Sequence, residues 1–381
     1  MPEVSDGLIF APFWLRRPGL LVEGARVNRD RPDLSHLRSL EPAERFVWGV
    51  LPHAARSFAP CIICLPAPIS LPMAVGYIYC RVLDTYEDLI ADPSARDSAL
   101  RQLPERLKQL QAGEPVGPVP ALSFDALDPR DEAHVLIADE VARLDILFEG
   151  FSQPLQAALI DLVQDMSDGM RWAAEVFEAQ VGSLHGPEQL SEYCYAVLGN
   201  PIRFAARLFQ WRAGRGVELA ATVEAAARDV GELLQLANIT RDIEKDLSRG
   251  VCYHQELSGL ARERACEDPG LVRAARVALC DRALSLAPAY LQLVDGMRLR
   301  SGLMSASALM MIRFTEQHYR RTAARVGVKG ERVAGMRSAI WRSLPAAISG
   351  RWARAQMERS VQVLTGLRAE LPAQASSMYL S

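Results

Sequence analysis

The sequence lacks the features that mark membrane-spanning and secreted proteins. No apolar run reaches the roughly 18 residues that a transmembrane helix needs. The most apolar N-terminal stretch, residues 8–22, is interrupted by an Arg-Arg-Pro run and preceded by acidic residues, whereas a secretory signal has a basic start and an unbroken apolar centre. These absences favour a cytoplasmic protein whose membrane contact, if any, is peripheral.

Cysteine is present but does not indicate a disulfide framework. The seven cysteines are odd in number, and several stand among apolar residues, which is typical of reduced core positions. Cys61 and Cys64 form a C-x-x-C pair, a spacing also found in zinc sites and redox-active dithiols. Because no second C-x-x-C completes a zinc site, burial in the core is the preferred interpretation.

The composition is that of a globular helical protein. With 49% hydrophobic and 23% charged residues the chain can bury a large core, and a net charge of −3 gives no general affinity for nucleic acid. No sustained alternation of apolar and polar residues predicts a strand, whereas helical periodicity begins near Pro42. We therefore predict an all-α protein with an irregular segment at 1–40, one domain at 41–381, and an insertion at the proline- and glycine-rich stretch 113–130.

Two predicted helices carry acidic residues along one face. In the first, Tyr77, Arg81, Asp84 and Asp88 follow one another at spacings of four, three and four, with Glu87 beside them. We call this set the first acid stripe. Carboxylates at such spacing repel by roughly a few tenths of a kcal/mol per pair, so a bound cation would relieve a penalty.

The second acid stripe has the same form and consists of Gln235, Asn238, Asp242 and Asp246. A D-x-x-x-D pair is most often a solvated helix face. Both stripes, however, continue into aromatic or amide residues rather than further charges, which favours the wall of a cavity.

Carboxylates on two walls of a helical bundle would suit a magnesium–diphosphate site. Mg²⁺ prefers oxygen ligands and commonly takes one or two carboxylates, with water and phosphate completing its shell. Arg56, Arg81 and Arg241 are of the type that binds phosphate oxygens as a bidentate fork. The pattern thus predicts chemistry in which a diphosphate is held, neutralised and released.

Several motifs in order carry a resemblance to the squalene and phytoene synthase family. The stretch 81–88, Arg-Val-Leu-Asp-Thr-Tyr-Glu-Asp, is similar to the first acid motif of squalene synthases and less so to that of phytoene synthases. The stretch 235–246 resembles the second acid motif. The other similar segments are residues 56–59, Tyr77, Gly169-Met170 and residues 193–199. The resemblance covers roughly residues 45–325.

The resemblance implies an isoprenoid synthase fold, a single helical bundle with a central cavity. It also implies a Mg²⁺-dependent head-to-head condensation of two prenyl diphosphates, expected to be farnesyl diphosphate, through a cyclopropyl diphosphate to squalene, with NADPH as the reductant. The implied metal ligands are Asp84, Glu87, Asp88, Asp242 and Asp246, and the four aspartates are also implied catalytic residues.

Further roles follow from the same resemblance. Tyr193 would assist the first half-reaction by handling the proton lost as the cyclopropane closes, and Tyr77 would line the site. The implied substrate-binding residues are Arg56, Ser57, Phe58, Arg81, Gln235, Asn238 and Arg241. The structural alternatives are core positions for Tyr193 and Phe58 and an ion pair for Arg81 with its neighbouring carboxylates.

The sequence departs from the family pattern in two places. Arg249 precedes a glycine where the family has glycine before arginine, and no proline follows, so one expected phosphate-binding arginine is missing. Residues 299–305 differ from the apolar segment of squalene synthases. A phytoene synthase-like or non-reducing enzyme with an unreduced or hydroxylated product is therefore the alternative function, and a catalytically silent prenyl-lipid binding protein is the rival from another class.

The stretch 320–354 is strongly basic. It holds nine arginine or lysine residues and a single acid, Glu331, with Trp341 and Trp352 interspersed. Such a segment can be a solvated helix face, or it can lie on an anionic membrane surface into which an apolar product would partition.

Overall fold

The chain forms two compact units. The computed structural model describes residues 12–118, 123–124, 128–129, 131–263, 268–299, 302–328 and 335–372. The first unit comprises Met1–Ser167, Arg207–Glu218 and Arg300–Ser307, and the second comprises Asp168–Ala206, Leu219–Leu299 and Ala308–Ser381. The prediction that residues 41–381 form one domain stays a prediction.

Helices account for nearly all regular structure in the first unit. Those that lie wholly or mostly in it are α1 (Phe13–Arg26), α2 (Leu34–Arg38), α3 (Ala43–Ala55), α4 (Ala59–Ile63), α5 (Ala67–Leu89), α6 (Pro93–Ala112), α7 (Glu132–Asp139), α8 (Val141–Glu149) and α9 (Gln153–Ala179), whose end belongs to the second unit. The described residues of the predicted insertion, which belong to the stretch 113–130, are not helical.

The prediction of an irregular segment at 1–40 is wrong where the structure describes it, because α1 and α2 lie within it. Tertiary contacts stabilise α1: the Phe13 ring stacks on Trp48 with ring centroids 5.0 Å apart, and Arg17 donates hydrogen bonds to the carbonyls of Ile63 and Leu65. The prolines of this segment predict irregular structure, yet α1 tolerates two of them, since Pro12 stands at the helix start and Pro18 is the one proline inside the helix.

Helix α5 is the central element of the first unit and packs against α3, α6, α7 and α8. Its buried face is mostly apolar, and the Tyr79 hydroxyl on it donates to Asp145 at 2.8 Å. Arg106 binds the other oxygen of Asp145 at 2.7 Å, so this buried carboxylate is paired and hydrogen-bonded. The network fixes the rotation of α5 and thereby the direction of its opposite face.

The second unit contains the remaining helices. They are the end of α9, α10 (Gly186–Cys194), α11 (Asn200–Arg212, its first part), α12 (Ala221–Ser248), α13 (Ser258–Glu263), α14 (Pro269–Ser285), α15 (Ala289–Met297), α16 (Gly302–Arg325, most of it), α17 (Met336–Ser343) and α18 (Gly350–Ala369). A π-helical turn, Tyr195–Gly199, joins α10 to α11. Among the described residues no strand occurs, and an all-α fold is confirmed.

Glycines let the second unit pack backbone against backbone around α12. A Cβ built on Gly231 would lie 2.3 Å from the Cα of Gly199 in the π-helical turn. In the same way, a Cβ on Gly169 would lie 2.2 Å from the Cβ of Ala196. Gly169 and Gly199, which belong to the motif segments noted in the sequence, thus have a packing role that requires no contact with a ligand.

We expect Gly231→Ala to lower the free energy of unfolding by about 1–3 kcal/mol, because the new methyl group meets backbone that cannot turn aside. Gly366→Ala is the matched control in α18, where nothing lies within 4 Å of the added Cβ. That change should raise the free energy of unfolding by about 0.5–1 kcal/mol through helix propensity. Urea unfolding of the two variants measures both, and equal stabilisation by the two alanines would contradict the close approach.

The cysteines behave as predicted wherever the structure describes them. Six are free and buried: Cys61, Cys64, Cys80, Cys194, Cys252 and Cys280. Burial raises the pKa of the Cys64 thiol to about 11 and raises that of Cys61 further, so neither is a reactive thiolate at neutral pH. The remaining cysteine, Cys266, lies outside the described residues.

Among the described residues, one segment, Pro269–Met297, is long and apolar enough to cross a membrane by length and composition alone. It consists of α14 and α15, and 61% of its apolar window is buried within the protein, as in the core helix of a soluble protein. The predicted absence of a spanning helix stays a prediction.

Candidate active site

The first acid stripe lies on the less buried face of α5. Tyr77, Arg81 and Asp84 are partly exposed and Asp88 is exposed, whereas nearly every residue between them on the helix is buried. Glu87 is partly exposed beside them. The helix therefore brings the predicted residues of this stripe onto one surface, as their spacing predicted.

An ion pair occupies the middle of the first acid stripe. The Arg81 guanidinium lies 3.0 Å from Asp84, whose side chain is 22% exposed. Burial raises the pKa of Asp84 to about 6; Arg81 acts to lower it, and Asp88 raises it further. One arginine therefore does not offset the cost of an ionised Asp84, and added positive charge would stabilise the ionised form.

Aromatic residues extend the same surface. The Phe58 ring lies 6.0 Å from the Tyr77 ring, tilted by 42°, and both side chains are partly exposed. Burial raises the pKa of the Tyr77 hydroxyl, and Arg81 acts in the opposite direction. Phe58 is therefore not a fully buried core residue, and it forms an aromatic wall with Tyr77 next to the ion pair.

The turn after α3 presents Arg56 and Ser57. Arg56 is exposed and adopts φ 45° and ψ −106°, a conformation that is costly for a residue with a side chain. Such strain is found most often where a side chain must point in a functional direction. Ser57 is partly exposed in the same turn, and Arg29 donates a 3.4 Å hydrogen bond to the carbonyl of Arg56.

His134, which sequence reasoning did not single out, stands behind these arginines. It is 7% exposed and hydrogen-bonds to the backbone of His53. Burial lowers the pKa of His134 to about 3, and the charges of Arg81 and Arg56 lower it as well. The imidazole is thus a neutral group next to two predicted phosphate-binding arginines. A histidine on an apolar helix gave no sequence signal for this placement.

The second acid stripe lies along α12 in the second unit. Gln235 is buried, and Asn238 donates to its side-chain oxygen at 3.2 Å. Asp242 and Asp246 are partly exposed, whereas Ile243 between them is buried. The amide pair and the two carboxylates therefore share one face, as predicted.

Arg241 forms a bidentate hydrogen bond with the adjacent residue, Asp242. Its Nε and one terminal nitrogen donate to the two oxygens of Asp242, at 2.9 and 2.6 Å. This bidentate bond raises the pKa of Arg241, as do the charges of Asp242 and Asp246. The fork geometry is the one that binds phosphate, so the same guanidinium can exchange a carboxylate for a phosphate oxygen.

Two residues of the second unit that sequence reasoning missed lie close to this stripe. Arg276 of α14 donates to the carbonyl of Thr240 at 2.9 Å and to both oxygens of Glu244 at 2.6 Å, which secures the outer part of α12. Burial lowers the pKa of His318 to about 4, and the charge of Arg241 lowers it further. His318 thus adds a neutral imidazole behind the arginine fork.

Tyr193 lies in an aromatic cluster with Tyr253 and Phe177. Its side chain is 6% exposed, and its hydroxyl lies 3.1 Å from the hydroxyl of Tyr253. Phe177 packs edge-on against both rings, at 6.0 and 5.9 Å. The hydroxyl of Tyr193 therefore meets a second phenol, and its role in the reaction stays a prediction.

The residues present suit a hard cation in type. Carboxylate oxygens are the ligands that Mg²⁺ prefers, and both stripes present them on partly exposed faces of their helices. Within the described part of the chain, no group of three His, Cys, Asp or Glu side chains forms a ready-made metal site.

Comparison with known proteins places these motifs in a wider context. A model of the squalene/phytoene synthase family matches residues 51–338. The squalene synthase of Schizosaccharomyces pombe is 26% identical over 221 residues, which are 57% of this chain and 45% of that protein. The lycopaoctaene synthase of Botryococcus braunii is 28% identical over 236 residues, 62% of this chain and 49% of that protein.

A solved structure of TcSQS in complex with a ligand is also similar. It aligns with a TM-score of 0.62 at 16% sequence identity, over 87% of this chain and 97% of that chain. At this identity the likeness shows the fold alone, and it agrees with the expected isoprenoid synthase fold. The chain spans about half the length of the curated relatives that it matches.

The roles of the individual predicted residues stay predictions. The structure gives the positions of the acid stripes, of their arginines and of Tyr193, but not what they do in a reaction. The segment 299–305, which differs from squalene synthases, includes Arg300 and Ser301, and these two lie outside the described residues. The expected change in the second half-reaction pocket is therefore untested.

Proposed function

The chain belongs to the squalene/phytoene synthase family, as its motifs predicted, and from that premise we propose that it joins two prenyl diphosphates head to head. Members of this family are prenyltransferases. The observation that carries the proposal is the repeated pairing of arginine and carboxylate: Arg81 with Asp84 on α5 and Arg241 with Asp242 on α12. Each pair combines a group that binds phosphate with a group that binds a cation.

Under this proposal the arginines, the carboxylates and the aromatic residues described above each have a chemical role. Arg56, Arg81 and Arg241 bind diphosphate oxygens, and Arg241 does so by releasing Asp242. The aspartates of both stripes, with Glu87, would hold Mg²⁺, which when bound neutralises the leaving diphosphate. The aromatic wall of Phe58 and Tyr77 offers π faces to a carbocation formed when the diphosphate departs.

The finer proposal is that the substrate is farnesyl diphosphate and the product squalene, formed through a cyclopropyl diphosphate that NADPH reduces. It is supported by the form of the motif at 81–88 and by relatives that are named squalene synthases. The alternative product is unreduced or hydroxylated, or phytoene-like, and the departure at residues 299–305 favours it.

Incubation of the purified protein with farnesyl diphosphate and Mg²⁺, with and without NADPH, tests both levels of the proposal. Squalene that appears only with NADPH would support the complete reaction. An alcohol derived from the cyclopropyl diphosphate, or any unreduced product regardless of NADPH, would support the alternative. Failure to consume any prenyl diphosphate while binding one would favour the silent binding protein.

A second part of the proposal concerns the membrane. Trp341 and Ile348 are 70% and 92% exposed, and the neighbouring Arg337, Arg342 and Arg351 are exposed too. We name these five residues the basic-aromatic surface. Large apolar side chains beside arginines suit an anionic lipid surface, where an apolar product would also dissolve. Of the other basic residues of this stretch, Arg320 and Arg354 are paired with carboxylates, and Arg325 donates to the carbonyl of Arg241. Lys329 and Arg332 lie outside the described residues.

We expect the doubly substituted variant Trp341→Ala with Ile348→Ser to lose binding to vesicles of anionic phosphatidylglycerol by about tenfold, because both apolar contacts with the interface are removed. Ile146→Ser is the matched control, since Ile146 is 63% exposed in the first unit, away from the basic-aromatic surface in sequence. Co-sedimentation with vesicles measures the effect. If both variants bound anionic vesicles equally, or if the wild type bound neutral vesicles as well as anionic ones, the basic-aromatic surface would be excluded as the membrane contact.

A further inference from the structure

Tyr193 and Tyr253 form a hydroxyl pair within the second unit. Their oxygens are 3.1 Å apart, their ring centroids 5.0 Å, and the rings are tilted by 36°. Tyr193 is buried, whereas Tyr253 is partly exposed. We propose that Tyr253 is a positioning residue for Tyr193, orienting its hydroxyl and connecting it with solvent. This inference rests on the proposed function of Tyr193 in the first half-reaction.

The backbone around Tyr253 is held firmly enough for such a task. Cys252, directly before it, donates from its N–H to the Gly182 carbonyl at 2.8 Å and accepts from the Leu184 N–H at 3.2 Å. These bonds form a parallel bridge between Ser183 and Cys252. Because both polar backbone groups of Cys252 are paired, the direction in which the next side chain leaves the chain is fixed.

Gly182 makes this bridge possible. Its φ is +83°, in the left-handed region that favours glycine, and a Cβ there would lie 1.9 Å from the carbonyl oxygen of Gly250. The close approach brings the segment after α12 against the segment after α9, so that Tyr253 reaches Tyr193. Phe177, at the end of α9, packs against both rings and limits their rotation.

The pair gives the proton of the first half-reaction a path. When the cyclopropane closes, the breaking C–H bond leaves its electron pair in the new C–C bond, and its proton passes to the Tyr193 oxygen. The hydroxyl proton of Tyr193 passes to the Tyr253 oxygen, and the Tyr253 proton passes to solvent water. Both tyrosines end as neutral phenols, so the site returns to its starting state with one proton released.

Removing the Tyr253 hydroxyl should therefore affect rate rather than binding. For Tyr253→Phe we expect kcat for diphosphate release from farnesyl diphosphate to fall by about 10–100-fold with KM unchanged, a size within the range of general acid–base catalysis. The double variant with Tyr193→Phe should be no slower than Tyr193→Phe alone, since the second hydroxyl acts only through the first.

A matched control separates this role from a structural one. Tyr290→Phe also removes a buried tyrosine hydroxyl of the second unit, one that donates to the Ala308 carbonyl at 2.5 Å. That change should lower the melting temperature and leave kcat unchanged, whereas Tyr253→Phe should keep the melting temperature and lower kcat. Unchanged kcat in Tyr253→Phe, or independent and multiplying effects in the double variant, would overturn the proposal.

A measurement without substrate distinguishes failure of this inference from failure of the proposed function. Ultraviolet titration measures tyrosine ionisation, and the phenol of Tyr193 is isolated by subtraction. With Tyr253 present, its curve is the wild-type titration minus that of Tyr193→Phe; without Tyr253, it is the Tyr253→Phe titration minus that of the double variant. The midpoints of these two difference curves should not be the same. If the wild type consumes no prenyl diphosphate, the proposed function fails; a shifted midpoint would then support the pair, and an unshifted midpoint would overturn it.

Discussion

Asparagine in place of Asp84 or Asp242 is expected to reduce turnover of prenyl diphosphate by at least about 10³-fold, because a neutral amide is a poor substitute for a carboxylate that neutralises a cation. The protein should nevertheless stay folded. Burial raises the pKa of Asp84 to about 6, so its ionised form is a cost at neutral pH that asparagine removes. The Arg241–Asp242 pair is partly exposed and contributes about 0–1 kcal/mol.

Asp97→Asn is the matched control for these variants. Asp97 is an aspartate on α6 whose exposed side chain pairs with Arg101 one helical turn away, and it belongs to neither stripe. Its turnover should equal that of the wild type. A second readout is thermal stabilisation by Mg²⁺ with inorganic diphosphate, which the wild type and Asp97→Asn should show and the two stripe variants should lose. A folded Asp84→Asn variant with wild-type turnover would exclude the first acid stripe from the reaction.

The second large effect is a loss of stability in acid. Burial lowers the pKa of His53 to about 4 and that of His134 to about 3, with further lowering by Arg29 and by Arg81. An unfolded histidine binds a proton below about pH 6.5, whereas these folded ones do not. Their contribution to stability is therefore complete above pH 6.5 and is lost as the pH falls towards 4, by on the order of 3 kcal/mol for each histidine.

Other groups titrate in the same range, so the comparison must be between variants. Asp84 has a raised pKa, and its protonation below about pH 6 acts in the opposite direction. Urea unfolding of His134→Gln and of His53→Gln at pH 7 and pH 4.5 should show a smaller difference between the two pH values than the wild type shows. His36→Gln, at an exposed position of α2, is the control and should behave as the wild type does. Parallel pH dependence in all four proteins would contradict neutral, buried imidazoles.

The sequence predicted helix positions well where periodicity and start signals agreed. Apolar periodicity predicts a helix from Ala43 to Ala55, and this is the observed α3, with a proline before it. Periodicity also predicts one helix over 131–149 and another over 271–297, but the first is broken at Glu140 and the second between α14 and α15. Apolar spacing continues across both breaks because the two halves bury the same kind of face, so periodicity alone cannot reveal them.

Prolines caused the main errors in the helix boundaries predicted from the sequence. The Asn200-Pro201 pair in the sequence predicts an interrupted helix, yet Asn200 has helical backbone angles and the chain passes directly from the π-helical turn into α11. Pro12 and Pro18 likewise predicted irregular structure where the chain forms α1. Whether a proline ends a helix or begins one depends on what the flanking residues pack against, which is not local information.

What the sequence by itself determined is local: the all-α class, the two acid stripes and the arginines beside them. A period of 3.6 residues is enough to decide which side chains share a helix face. Tertiary structure alone decided that Tyr253 meets Tyr193, 60 positions earlier, and that His134 lies behind Arg81 and Arg56. Those placements depend on a backbone bridge allowed by Gly182 and on the burial of an imidazole, and contacts between distant segments follow from the packing of the whole unit rather than from the spacing within any one helix.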